Sequence, residues 1–225
     1  MSGSGVQRYL IVHEYVGQAF YGWQRQPDGF KTVQSVLEKA ISEFIGAETI
    51  VMGSSRTDTG VHALGNTCHV DLERRPRKDK IAREGDDSPS PSPSPRTPYS
   101  CHDVRKAINA RIMANGNEAV RVTKVLTVDS EYHARFKAKR RTYFYRIACG
   151  SETQMSLFHS GFTWSVRQDL DISLMRQAAQ VLIGTHDFST FRTSKCQSNT
   201  PVKVRAKAPT RRVPRQLFLH PPNPR

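Results

Sequence analysis

One stretch, Ser55-Arg56-Thr57-Asp58-Thr59-Gly60-Val61-His62-Ala63, carries the residue types from which nucleophilic or acid–base chemistry could be built. Asp58 stands two residues before a glycine, the local chemistry of a turn that needs positive φ. A β-branched run (Thr49, Ile50, Val51) leads into it, and a strand-like stretch from Thr67 to Leu72 leaves it. A carboxylate on a tight bend between two rigid strands, beside the fixed cation of Arg56, stays ionised and aimed. An ordinary Asp-x-Gly hairpin turn with a surface ion pair accounts for the same residues. The stretch alone leaves both readings open.

Two further stretches suit a polyanionic partner. Lys137, Lys139, Arg140 and Arg141 precede the aromatic run Thr142-Tyr-Phe-Tyr-Arg-Ile147. Cations grip phosphates, and Tyr143 and Tyr145, at alternate positions, would share one face of a strand as a stacking surface. A merely solvated charge run is the alternative. The segment Phe20-Tyr-Gly-Trp-Gln-Arg-Gln-Pro27 mixes aromatics, amides and an arginine, so Trp23, Gln24 and Arg25 are candidates for holding bases and backbone. Aromatics that cover a core edge would look the same. The whole chain of 225 residues has 34 Lys+Arg against 20 Asp+Glu, a net charge of +14 that favours nucleic acid.

Other chemistries find little support. The four cysteines, Cys68, Cys101, Cys149 and Cys196, stand far apart with no C-x-x-C pair. Adjacent Cys-His pairs such as Cys68-His69 point to opposite faces of a strand, so no metal is expected. His186 and Asp187 follow a helical pattern, where side chains usually fix the chain's exit, and a structural role is expected for them. No apolar run approaches a membrane span. The amino-terminal Met-Ser-Gly-Ser-Gly lacks the apolar core of a signal peptide, so an intracellular protein without a membrane partner is expected.

The elements that must position these residues follow from periodicity. Arg8 to Val16 alternates as a strand. Thr32 can cap a helix whose apolar positions Val33, Val36, Leu37, Ala40, Ile41 and Phe44 form one stripe, ended by Gly46. A short strand (Glu48 to Met52), the Asp58 loop and a strand from Asn66 to Leu72 follow. Then come a helix from His102 to Met113 and a strand from Ala119 to Val128. This β-α-β-β-α-β order is the split βαβ arrangement of a ferredoxin-like half. Arg74 to Tyr99 interrupts it with a Ser-Pro repeat at residues 88–95, expected as a disordered or polyproline-like insertion. A second half is expected to hold strands from Thr142 to Ile147 and Phe162 to Val166, a helix from Asp169 to Ile183 and a loop from Thr185 to Arg192. Beyond Val204 no apolar periodicity survives. The fold class expected is α+β, with halves at 7–129 and 130–204, the second incomplete, and a basic divergent tail at 205–225.

The segments Tyr21-Gly-Trp-Gln-Arg-Gln26, Arg56-Thr-Asp-Thr-Gly-Val-His-Ala63, His133-Ala-Arg-Phe136 with Arg141-Thr-Tyr143, and Leu182-Ile-Gly-Thr-His-Asp-Phe188 with Cys196-Gln-Ser-Asn-Thr-Pro201 resemble the tRNA pseudouridine synthase A (TruA) family. The resemblance covers roughly residues 8–204, in the family's order. It implies two ferredoxin-like halves around an RNA-binding cleft. It also implies a cofactor-free isomerase that converts uridine to pseudouridine in the anticodon arm of tRNA, with Asp58 as the catalytic aspartate. Tyr143 matches the tyrosine that packs on the target base. Arg56 would orient Asp58 and replace the displaced base, and Arg141 with its neighbours would hold phosphates. Ser55 and Thr59 depart from the family's usual glycine and alanine, but both are small. The residues from Arg205 onward match nothing in the family pattern, whose members continue with a strand and a helix that complete the pocket. A catalytically impaired RNA-binding protein, or a truncated isoform, is the alternative. Pairing into a homodimer is implied as a candidate assembly.

Overall fold

The computed structural model describes residues 5–27, 29–74, 97–150, 157–192 and 200–205. The chain divides into two compact units, Met1–Thr142 and Tyr143–Arg225.

The first unit is built on strand β1 (Val6–Tyr15), helix α1 (Val33–Ile45), strand β2 (Met52–Gly53), strand β3 (Ala63–Glu73), helix α2 (Cys101–Ala114) and strand β4 (Val120–Val128). The sheet order is β2-β3-β1-β4, with every neighbouring pair antiparallel. Alternation decides which face of β1 goes inward: Tyr9, Ile11, His13 and Tyr15 are all buried, while the residues between them are partly exposed. Val120, Val122 and Val125 of β4 are also buried although their spacing breaks the alternation. The pairing explains this, because the register slips between Val12 and His13 and leaves Thr123 as an extra residue.

Helix α1 forms where the apolar stripe demands it. Thr32 accepts a hydrogen bond from Ser35 N and Ser35 Oγ closes the box, while Gly46 ends the helix at φ 74°. Helix α2 starts at a Ser100 cap and buries Val104, Ile108 and Ile112. Tyr9 joins sheet to α2: its ring is in the core and its hydroxyl donates to Tyr99 O at 2.6 Å, and burial pushes its pKa up to about 12.

Several sequence expectations change. The strand expected from Glu48 to Met52 shrinks to Met52–Gly53. Side chains of α1 take the polar groups that a neighbouring strand would have used: Thr49 N donates to Ser42 Oγ at 3.0 Å and Val51 N to Glu38 Oε1 at 3.1 Å. The first half also extends past residue 129. Arg8 Nη1 donates to Tyr132 O at 2.9 Å and Ala134 N to His69 Nδ1 at 3.1 Å, so this segment covers the opposite face of the sheet and belongs to the first unit. The insertion falls mostly at residues 75–96, outside the described residues. Its two ends meet, since Arg74 Nη1 donates to Thr97 O at 3.1 Å and the guanidinium lies over the Tyr99 ring. An excursion that returns to its starting point need not disturb the sheet.

The second unit holds strand β5 (Ile147–Cys149), a short helix α3 (Leu157–Ser160), strand β6 (Trp164–Val166), helix α4 (Ile172–Val181), strand β7 (Gly184–Asp187) and strand β8 (Val202–Arg205). Strand β5 pairs with β6 in parallel, and β7 with β8 antiparallel. The strand expected from Thr142 begins only at Ile147, because among the described residues a partner strand is present only from there on. The helix expected over Asp169–Ile183 is shorter. Asp171 caps it, accepting from Ser173 N at 2.7 Å and Leu174 N at 3.0 Å. Part of the loop expected after Gly184 is strand β7. Among the described residues of this unit none is buried, and the apolar positions Leu174 and Val181 are 60% and 72% exposed. The tail at 206–225 lies outside the described residues.

The first unit's core contains a buried imidazole. His13 Nε2 accepts from Trp23 Nε1 at 3.1 Å, and burial lowers the His13 pKa to about 4. The folded state therefore keeps this ring neutral, whereas the unfolded chain binds its proton near pH 6.5. Stability from this source is full above pH 6.5 and falls as the pH drops toward 4, by on the order of 3 kcal/mol. Urea unfolding across that range should show the decline, and His13→Asn should flatten it.

Candidate active site

The loop between β2 and β3 has no regular secondary structure, so its backbone must find partners elsewhere. It finds them along the inner end of β1 and on the start of β3. Ser54 N donates to Thr67 O at 2.8 Å, continuing the β2–β3 ladder for one residue. Trp23 N donates to Thr57 O at 3.0 Å, and Thr57 Oγ1 shares a 2.8 Å hydrogen bond with Tyr15 Oη. Asn66 Nδ2 reaches Ser55 O at 3.2 Å and Tyr15 Oη at 3.2 Å. Val61 N closes the turn onto Asp58 O at 3.2 Å, with Gly60 at φ 79°. Beyond the turn, Gly17 N donates to His62 Nδ1 at 3.1 Å. Gly17 is required here: a Cβ would overlap the Val61 carbonyl, which is backbone and cannot turn aside.

The result is an exposed Asp58 side chain on a backbone held from both sides. Arg56 is exposed on the same loop. An exposed, well-anchored carboxylate can act as a base or a nucleophile without first paying for desolvation, and a substrate that covers it would strengthen its interactions.

The cationic run reaches this loop. Residues 133–137 begin on the sheet: the His133 ring lies 4.8 Å from His69 and 4.3 Å from Phe136, and Lys137 N donates to His133 O at 2.9 Å. At the far end, Arg141 Nη2 donates to Ser54 O at 2.7 Å, directly where the Asp58 loop starts. Lys137, Lys139, Arg140 and Arg141 are all exposed. The first unit thus ties Arg141, at the end of the basic run, to the start of the Asp58 loop. Tyr143 lies in the second unit and is 67% exposed.

The Tyr21–Gln26 segment is corrected. Trp23 is 2% exposed, bonded to His13 and packed flat against Gly53, where an added Cβ would strike the indole. A ring so placed cannot stack on a base; it shapes the loop from beneath. Arg25 is exposed but pairs with the buried Glu38 carboxylate at 2.6 Å, so much of its charge serves the fold. Gln24 stays exposed. His186 and Asp187 have structural partners: His186 Nε2 lies 2.8 Å from Ile183 O, and Asp187 Oδ1 accepts from Ser189 N at 2.7 Å and Ser189 Oγ at 2.6 Å. Those Ser189 bonds hold the Asp187 carboxyl below its usual pKa. Among the described residues no cluster of three His, Cys, Asp or Glu side chains could hold a metal.

Tyr15, Asn66 and Gly17 support the loop although no sequence motif marks them. A single amide in the first half of β3 and a glycine two residues after the last aromatic of β1 are the local signals. Neither points to a loop 40 or more residues away in the case of Tyr15 and His62's partner Gly17.

The family model for tRNA pseudouridine synthase matches residues 11–136. The chain is similar to tRNA pseudouridine synthase A of Agrobacterium fabrum, 39% identical over 197 residues, covering 88% of this chain and 64% of the relative. It is likewise similar to the proteins of that name from Methylocella silvestris (36% identical; 95% of this chain, 74% of the relative) and Maricaulis maris (39% identical; 87% and 67%). The chain thus spans about two thirds of the length of the curated relatives it matches. The match over the sheet and the Asp58 loop, and the identity that continues beyond them, establish that the chain belongs to the tRNA pseudouridine synthase family.

Proposed function

We propose that this protein isomerises uridine to pseudouridine in the anticodon arm of tRNA, with Asp58 as the catalytic aspartate. The observation that carries the proposal is an exposed carboxylate on a multiply anchored loop, with a basic strip tied to that loop through Arg141. The reaction breaks the bond from uracil N1 to ribose C1′ and makes one from C5 to C1′. The C5 proton leaves, and N1 ends with a proton, so no oxidant or co-substrate enters. Asp58 would either attack C1′ or trigger departure of the base through a glycal-like intermediate. Both routes need an ionised, immobile carboxylate and a base unstacked from its stem.

Within this reading Arg56 orients Asp58 and takes the place of the extruded base. Lys137, Lys139, Arg140 and Arg141 hold phosphates, Gln24 contributes polar contacts at the rim, and Tyr143 offers a flat face to the uracil. The finer architecture, two ferredoxin-like halves with an RNA-binding cleft, belongs to the same reading. It is supported in the first unit by the antiparallel order β2-β3-β1-β4. An intracellular location and a homodimer are part of it as well; among the described residues no helix is long and apolar enough to cross a membrane.

One observation favours a second reading, an RNA-binding protein of the same ancestry with impaired catalysis. Among the residues of the second unit whose burial is described none is buried, and Leu174, Val181 and Phe191 are exposed.

The two readings separate on Asp58. Purified protein should form pseudouridine in a tRNA transcript, read by mass spectrometry of digested RNA. Asp58→Ala should lower the rate on the order of ten-thousandfold while leaving tRNA affinity within about threefold. Equal yields from wild type and Asp58→Ala would sink the catalytic reading. The basic strip has its own test. Lys139→Ala should reduce the slope of log affinity against log salt by about one, uniformly across tRNA sequences. An unchanged slope would remove Lys139 from the phosphate contacts.

A further inference from the structure

The buried amide of Asn66 has a use that the fold alone does not need. It is 7% exposed and spends all its hydrogen-bonding capacity on the Asp58 loop and its support. Its oxygen accepts from Thr67 N at 2.9 Å and Ser54 Oγ at 3.1 Å. The backbone donor at Thr67 fixes which end of the amide is oxygen, so Nδ2 must face Ser55 O and Tyr15 Oη, both at 3.2 Å. Tyr15, 4% exposed, then carries the network to Thr57 Oγ1 at 2.8 Å. Thr57 is the residue directly before Asp58. The Tyr15 hydroxyl, on the inner face of β1, is therefore aimed at the loop, and a phenylalanine would fill the same core space without reaching it.

We propose that Asn66, Tyr15 and Thr57 form a positioning clamp, in which the core side of β1 sets the attack geometry of Asp58. This rests on the reading of Asp58 as the catalytic aspartate. The three residues do not touch the substrate; they act through the backbone on either side of Arg56 and Asp58. Ser55 O is held by the amide and Thr57 by the phenol, so the Arg56 peptide is pinned at both ends. A small shift in such a loop moves the carboxylate away from the sugar carbon, a displacement that costs rate without costing affinity. The burial makes the clamp stiff, since a hydrogen bond lost here leaves its partner unsatisfied rather than solvated.

The clamp is tested with the full chain and a tRNA transcript under single-turnover conditions, together with amide hydrogen exchange of the 55–62 segment. Tyr15→Phe and Thr57→Val each delete one end of the same bond while keeping the volume. Each should slow pseudouridine formation about tenfold, leave the tRNA dissociation constant within about twofold, and raise exchange in the loop. The double variant should be no slower than Tyr15→Phe, which already lacks the Tyr15–Thr57 bond together with the one from Asn66. Thr57→Ser, which keeps the hydroxyl, should restore most of the rate lost in Thr57→Val. Losses that multiply in the double variant, or unchanged exchange in Tyr15→Phe, would overturn the clamp. A wild-type protein no faster than Asp58→Ala overturns the catalytic reading instead, and the exchange rates still decide whether Tyr15 and Thr57 hold the loop.

Discussion

An exposed carboxylate such as Asp58 cannot be held by burial, so its backbone has to be held instead. That constraint organises the first unit. The Ser54–His62 loop has no ladder of its own, and its polar groups are taken up by three supports: Tyr15 at the end of β1 with Gly17 just beyond it, the Trp23 backbone, and Asn66 in the first half of β3. Each support is anchored in the packed first unit: Tyr15 and Asn66 in the sheet, and Trp23 buried beneath the loop. Rigidity in the core is thereby transmitted to an exposed side chain.

The same logic explains the aromatic segment before α1. Trp23 lies under the loop rather than over a base, with its indole against Gly53 and its N–H on His13. Only glycine fits at 53, since a Cβ would enter the ring. Arg25 and Glu38 close this corner by pairing at 2.6 Å, and Glu38 also takes Val51 N, which is why the chain approaching the loop needs so little strand. A buried carboxylate paired in this way serves position more than net stability.

The two units differ in how far their sequence patterns are satisfied. In the first, the stripe on α1 and the alternation on β1 meet each other and form one core. In the second, α4 has an amphipathic pattern of similar quality, yet Leu174 and Val181 remain exposed. A helical stripe states that a partner is required; it does not supply one. The aromatics from Tyr143 to Tyr145 are in the same position: alternation suggested a strand, but a strand also needs a neighbour to take its backbone groups.

Local chemistry in the chain determined much of this. The Thr32 cap, the stripe ending at Gly46, the alternation of β1 and the Asp58–Gly60 turn were readable because each depends on residues within a few positions of one another. The family motifs and the excess of basic residues were readable for the same reason. What required the tertiary structure was everything joining distant positions. Whether Trp23 faces RNA or core depends on where His13 and Gly53 come to lie. Whether Arg141 belongs to the first unit depends on Ser54 O. That Asn66 and Tyr15 support Asp58 depends on the register of β1 against β3, where His13 pairs with Asn66 and Tyr15 with Ala63. A sequence specifies periodicity and turn chemistry locally, but a register is a choice among pairings that only the packed core can make.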